Sequence, residues 1–177
     1  MPKLKEYKMF INGQWTGAEN KKTFETLNPE NNEPWATVPE ASEEDVNNAV
    51  VAAQKAFEGE WPKLFPRERA NYLKEIANQL RKNAELMGEI ETIDTGKLYK
   101  EIKTQAGYIA EYYDYFAGLA DKIEGTVLPI DKPDMQVITT RVPIGVVAAI
   151  IPWNSQMLLT AVKLAPALAM GNTIVIK

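Results

Sequence analysis

The sequence predicts an α/β fold: a short antiparallel start, a layer of four helices, and one βαβ unit of a parallel sheet. Three observations predict it. The β-branched runs Val142-Pro-Ile-Gly-Val-Val-Ala-Ala-Ile-Ile-Pro-Trp-Asn154 and Asn172-Thr-Ile-Val-Ile-Lys177 flank an apolar helical pattern, which reads as strand, crossover helix, strand. Between Ser42 and Leu119 apolar residues recur at helical spacing in four stretches. Near the start, Asn12-Gly13 separates two β-rich runs and favours a two-residue hairpin turn.

Met9–Ile11 and Gln14–Thr16 are the hairpin's strands, and Thr23 to Leu27 is a further short strand before the turn at Asn28-Pro29. Ser42 precedes Glu43-Glu44-Asp45, a hydroxyl cap followed by carboxylates where the helix dipole favours them. Val46, Ala49, Val50, Ala53 and Phe57 mark that helix's apolar face. Pro66 suits a first-turn position, with Tyr72, Leu73, Ile76, Ala77 and Leu80 on one side. A third helix over about 84–94 carries Leu86, Met87, Ile90 and Ile93, and Gly96 serves as its stop. The longest, about 98–119, buries Ile102, Gln105, Ala106, Ile109, Tyr113, Phe116 and Ala120, with Gly118 and Gly125 marking its end. Between Pro133 and Pro143, Met135 to Arg141 is β-rich.

The 177 residues are 45% hydrophobic with a mean hydropathy of -0.29, the balance of an ordinary globular protein. The nearly uncharged run from Val142 to Leu159 is broken by Pro143, Gly145, Pro152 and Asn154, so it reads as buried strand and turn and no membrane partner is expected. Met1-Pro-Lys-Leu-Lys lacks the apolar core of a secretion signal, so the cytoplasm is expected. A net charge of -4, with basic residues interspersed among glutamates, leaves no footprint for nucleic acid. The chain has no cysteine and no histidine. That removes disulfides, thiolate metal sites, a cysteine nucleophile and the commonest neutral-pH base.

Nine ordered pieces carry a resemblance: Ile11-Asn-Gly-Gln-Trp15, Thr26-Leu-Asn-Pro29, Val38-Pro-Glu-Ala-Ser42, Glu91-Thr-Ile-Asp-Thr-Gly-Lys97, Ala117-Gly-Leu-Ala-Asp-Lys122, Ile150-Ile-Pro-Trp-Asn154, Lys163-Leu-Ala-Pro-Ala-Leu-Ala169, Gly171-Asn172 and Ile174-Val-Ile-Lys177. In that order they resemble the NAD(P)-dependent aldehyde dehydrogenase superfamily, across essentially the whole chain. The resemblance implies the amino-terminal part of a Rossmann-type domain, formed by residues 1–124 and 143–177, with 125–142 as an oligomerisation segment. Its strand would join a sheet completed by a carboxy-terminal partner. It also implies a cysteine nucleophile and a glutamate base further along than Lys177. The chain is therefore expected to be an incomplete portion of an enzyme more than twice as long, without its catalytic domain and inactive alone.

The activity implied is oxidation of a small-molecule aldehyde to a carboxylic acid with NAD or NADP, through a cysteine thiohemiacetal, in a homo-oligomer, dimer or tetramer. The alternatives are a non-catalytic scaffold or interaction protein and an acylating semialdehyde dehydrogenase relative. Asn154 matches the family asparagine whose amide steadies the oxyanion, where loss of such a donor costs roughly 3 kcal/mol; spacing alone favours an N-cap, a role that does not exclude the first. Ile150, Ile151, Pro152 and Trp153 match the cofactor-facing strand end, although Ile150 also reads as a core residue. Lys177 matches the lysine at the adenosine ribose, and otherwise is simply solvated.

No G-x-G-x-x-G accompanies the crossover, so the usual glycine-cradled pyrophosphate is excluded. Lys163 matches a proton-relay lysine, or snorkels from a packed helix. Where the family often has aromatics, Ser155 and Val162 are small. This implies a wider substrate tunnel lined by Ile109, Leu158 and Val162, whose other reading is helix packing. The Leu27 carbonyl and Asp94 match a monovalent-cation site of some relatives, though Asp94 also suits a turn cap.

Overall fold

A computed structural model describes residues 4–177. The chain opens with β1 (Lys5–Glu6) and the hairpin of β2 (Met9–Ile11) and β3 (Gln14–Thr16). Asn12 and Gly13 take φ of 51° and 75°, the positive values that a primed two-residue turn demands. Next, β4 (Thr23–Asn28) pairs antiparallel with β5 (Glu33–Pro39), whose other edge takes β1 in parallel. Sequence periodicity misses β5 because Pro34 and Pro39 bracket it and only Ala36 is fully enclosed.

Ser42 caps α1 (Glu43–Glu58) as expected: its hydroxyl accepts the Asp45 N–H, and its own N–H donates to the Asp45 carboxylate at 2.7 Å. The expected apolar face is only partly covered. Ala49, Ala53 and Phe57 are half-buried, while Val46 is 51% exposed and Val50 is exposed. Helical spacing identifies an apolar stripe, but tertiary contact covers one margin of it.

Pro66 opens α2 (Pro66–Lys82), and α3 (Ala84–Thr95) stops at Gly96 in the left-handed conformation, φ 73°. Then α4 (Tyr99–Leu119) runs back across both. Two expected faces shift. Tyr72 on α2, and Leu86 and Ile93 on α3, are exposed, whereas Gly88 and Glu91 are the buried residues of α3. A Cβ at Gly88 would stand 3.2 Å from the Tyr99 ring and 3.4 Å from the Lys103 backbone N, so α3 approaches α4 closely at its smallest residue, with Met87 and Ile90 of the expected stripe half-buried.

The core lies among α2, α4 and the crossover helix α5 (Gln156–Ala169). Leu73 and Ala77 of α2, Ile109, Ala110, Tyr113 and Ala117 of α4, and Ala161, Ala165 and Ala169 of α5 form one cluster. Rows of alanine let the helix backbones approach closely, and Leu73 and Ile109 fill what remains. The stripe expected on α4 is largely the buried one, with Gln105 and Phe116 at its half-buried margins.

Val137–Ile138 (β7) pairs with Val127–Leu128 (β6) as an antiparallel ribbon. The strand expected over 135–141 is thus shorter, and one of its edges pairs within the same segment, Val137 opposite Leu128 and Ile138 opposite Val127. Thr126 and Thr139 clamp this ribbon through backbone and hydroxyl bonds of 2.8 and 2.9 Å. Last come β8 (Val146–Ala149) and β9 (Thr173–Ile176), parallel neighbours joined by α5. Among the described residues no helix is long and apolar enough to cross a membrane.

A candidate active edge at the carboxyl ends of β8 and β9

Parallel strands joined by a helix leave their carboxyl ends open, and α/β sheets bind ligands there. Both ends of the β8–β9 pair are fixed. At the amino ends, the buried Asn172 accepts the Ile144 and Gly145 N–H groups at 2.8 and 3.1 Å through Oδ1, and its carbonyl accepts the Trp61 indole N–H at 3.0 Å. Thr173 adds a hydroxyl bond to the Ala53 carbonyl at 3.0 Å, seating α1 against β9. At the carboxyl ends the Lys177 N–H donates to Ala149 O at 2.9 Å, and the Ile151 N–H donates to Lys177 O at 2.7 Å. These last two rungs bring Lys177 beside the Ile150–Asn154 turn.

At this edge Ile150 is 75% and Trp153 80% exposed, Pro152, Asn154 and Lys177 are exposed, and Ile151 is half-buried. The core reading of Ile150 is corrected: the backbone rungs to Lys177 run past it on both sides, yet its side chain faces outward and is exposed. The cap reading of Asn154 is also corrected. Ser155 occupies the N-cap position of α5, and the Asn154 carboxamide makes no hydrogen bond among the described residues. It is a free donor at the strand mouth.

Lys163 is exposed on α5, seven residues from the helix start, a rise of roughly 10 Å. The fold therefore does not bring it into contact with Asn154. Leu158 packs half-buried against the core and Val162 is half-buried. Ile109, at 1% exposure, is enclosed within that core, so its side chain has no open surface.

Asp94 accepts the Thr26 hydroxyl at 2.8 Å through one oxygen and the Gln156 amide at 3.1 Å through the other. It ties β4 to the start of α5 and does not cap its own turn. Leu27 stands opposite Pro34 at a register shift of β4, a residue with no N–H to offer. No cluster of three or more acidic or metal-ligating side chains occurs among the described residues.

Sequence reasoning missed the polar group beneath this turn. Lys97 Nζ donates to Glu91 Oε1 at 3.0 Å and to Ser155 Oγ at 2.7 Å. A glutamate on the helix and a lysine just past its stop glycine signalled at most the Glu91–Lys97 pair, not the bond to Ser155. For a nicotinamide dinucleotide the donor set fits in part: exposed apolar surface at Ile150 and Trp153 suits a ring, and the Lys177 ammonium suits ribose hydroxyls. The described residues offer no glycine-rich cradle for a pyrophosphate.

Comparison with known proteins matches residues 15–177 to the aldehyde dehydrogenase family model. A (Z)-2-((N-methylformamido)methylene)-5-hydroxybutyrolactone dehydrogenase of Acinetobacter baylyi is 47% identical over 175 residues, covering 98% of this chain and 36% of its own length. A solved structure of a variant of the Bacillus cereus aldehyde dehydrogenase superposes with a TM-score of 0.93 at 40% identity, covering 97% of this chain and 35% of that one. Betaine aldehyde dehydrogenase from Staphylococcus aureus, in complex with NAD+, gives a TM-score of 0.91 at 38% identity, over 96% and 34% of the two chains. The chain thus spans about a third of the length of these relatives.

Proposed function

Because the chain belongs to the aldehyde dehydrogenase family, we propose that it forms the oxyanion-binding edge and part of the cofactor wall of an enzyme that oxidises aldehydes to carboxylic acids. The observation that carries this reading is the unpartnered Asn154 carboxamide at the exposed carboxyl end of β8, with Lys177 alongside. A thiolate attacking an aldehyde turns the carbonyl oxygen into an oxyanion, and a fixed amide N–H aimed at it is worth roughly 3 kcal/mol of barrier. Asn154 supplies that N–H.

When bound, NAD or NADP supplies the hydride acceptor. Trp153, Pro152, Ile151 and Ile150 then offer apolar surface that keeps water from the reacting carbon, and Lys177 donates to ribose hydroxyls. Leu158 and Val162 line the approach of an aldehyde whose size their small neighbour Ser155 leaves room for, and Lys163, exposed on α5, would take protons from the glutamate base rather than touch the carbonyl. A monovalent cation near the α3 end would be held by the Leu27 carbonyl and an Asp94 oxygen that also accepts from Thr26 or Gln156. The attacking sulfur is supplied by polypeptide beyond these residues, since this chain contains no cysteine.

Residues 1–124 and 143–177 belong to the cofactor domain and 125–142 to an oligomer contact, supported by exposed Val127, Ile138 and Met135 on and beside the ribbon. The chain alone, given NAD+ or NADP+ and a panel of aldehydes, is expected to form no reduced nicotinamide. Turnover by the purified chain would overturn the thiolate account. Linked to the remaining two-thirds of the enzyme, wild type is expected to turn over and Asn154→Ala to lose about a hundredfold in kcat.

A further inference from the structure

Asn154 is presented by a turn whose own side chains hold nothing: Pro152, Trp153 and Asn154 are exposed, and none of them makes a side-chain hydrogen bond among the described residues. Its conformation depends on ties at its two ends. In front, the Ile151 N–H is bonded to Lys177 O. Behind, the two residues that follow Asn154 are bonded to the end of α3. Lys97 Nζ donates to Ser155 Oγ at 2.7 Å across 58 residues of sequence, and Gln156 Nε2 donates to Asp94 Oδ2 at 3.1 Å across 62.

The rear tie through Lys97 has the features of a fixed strut. Its ammonium is also bonded to Glu91, whose side chain is 6% exposed, so the head group is held between two partners rather than waving in solvent. Charge-assisted bonds sheltered from water are stronger and more directional than surface pairs. The reversal that aims Lys97 back along α3 is made by Gly96 at φ 73°, where a Cβ would stand 3.0 Å from Pro29 Cγ. Backbone and side chain therefore agree on one position for the ammonium. Ser155, lacking a side-chain bond to its own helix, has its hydroxyl committed to that ammonium instead.

We propose that Lys97 is a positioning residue that acts through the Ser155 hydroxyl to fix the turn presenting the Asn154 carboxamide. The claim that this matters for turnover rests on the oxyanion role given to Asn154 above. The tie itself is independent of that role.

Hydrogen exchange of the full chain, followed by mass spectrometry of the segment 151–159, tests it. Ser155→Ala is expected to speed exchange there about five- to tenfold, the loss of one sheltered hydrogen bond, with segments of β4 and α1 unchanged. Lys97→Met is expected to do the same, Lys97→Arg to restore most protection, and the double variant to be no faster than the faster single, since both remove one interaction. Lys97→Met also strands the buried Glu91 carboxylate; should it fail to fold, Ser155→Ala, which keeps that ion pair, decides alone. Unchanged exchange in Ser155→Ala, or additive effects in the double variant, would overturn the proposal. In the complete enzyme Ser155→Ala is expected to lower kcat several-fold with little change in KM. If Asn154→Ala leaves kcat intact the oxyanion reading fails, whereas unchanged exchange in Ser155→Ala removes the strut whatever Asn154 does.

Discussion

The three-helix core and the strand-mouth edge are built from opposite materials. Between α2, α4 and α5, alanines close the gaps and Leu73, Ile109 and Tyr113 fill them, so each side chain has neighbours on every side. At the carboxyl ends of β8 and β9 the largest side chains, Ile150 and Trp153, face outward and order comes from backbone rungs and a few polar ties. The first region gains its stability from burial, which tolerates little change in volume. The second is free to be chemically specific because almost none of its surface is committed to holding the fold.

Substitutions should separate the two sharply. Leu73→Ala, at 0% exposure, is expected to cost about 2–5 kcal/mol in urea unfolding; a cost under 1 kcal/mol would show that the core is looser than drawn. Asn172→Ala sits between the regions and orphans the Ile144 and Gly145 N–H groups, for about 1–3 kcal/mol. Crystals or spectra of that variant should show β8 losing register with β9 while the helices persist.

An alkaline titration sharpens the contrast further. Burial pushes the Tyr113 phenol up from 10.0 to about 12, because the phenolate is the form that the core cannot solvate. The folded state therefore holds that proton more tightly than the unfolded one. Stability from this source is complete below pH 10 and declines as the pH rises toward 12, and Tyr113→Phe should remove that decline. Ultraviolet titration should find one of the seven tyrosines ionising at higher pH than the rest while the fold persists. At the open edge, Trp153→Ala is expected to move stability by less than about 0.5 kcal/mol, and a larger loss would mean that the edge contributes to folding after all.

Local chemistry was the legible part of the sequence. Asn12-Gly13, the Ser42 cap, Pro66 and the stop at Gly96 were each read correctly because the reason acts within a few residues. Faces were less legible. Helical spacing placed Val46, Val50, Tyr72, Leu86 and Ile93 on the apolar faces of their helices, yet all five are exposed. An apolar stripe states what can be buried, while neighbours distant in sequence decide how much is. The strand β5, hidden by its prolines, and the partner of β7 escaped for the same cause, since pairing is a property of two segments.

At the site, Asn154 and Lys177 were legible as residues placed after β-branched runs, and the ladder joins their segments. Nothing in the order of residues foretold that Lys97 would meet Ser155, or that Asp94 would tie Thr26 to Gln156.

By itself the sequence determined the α/β class, the turns, the caps and the absence of thiol and imidazole, for these follow from residue type and spacing. Only the tertiary structure decided which apolar faces close, that the Asn154 amide stays free while Ser155 takes the cap position, and which ammonium steadies the turn between them. Such outcomes depend on side chains about 60 residues apart meeting at hydrogen-bond range, and their energy exists only once α3, α4 and α5 have packed.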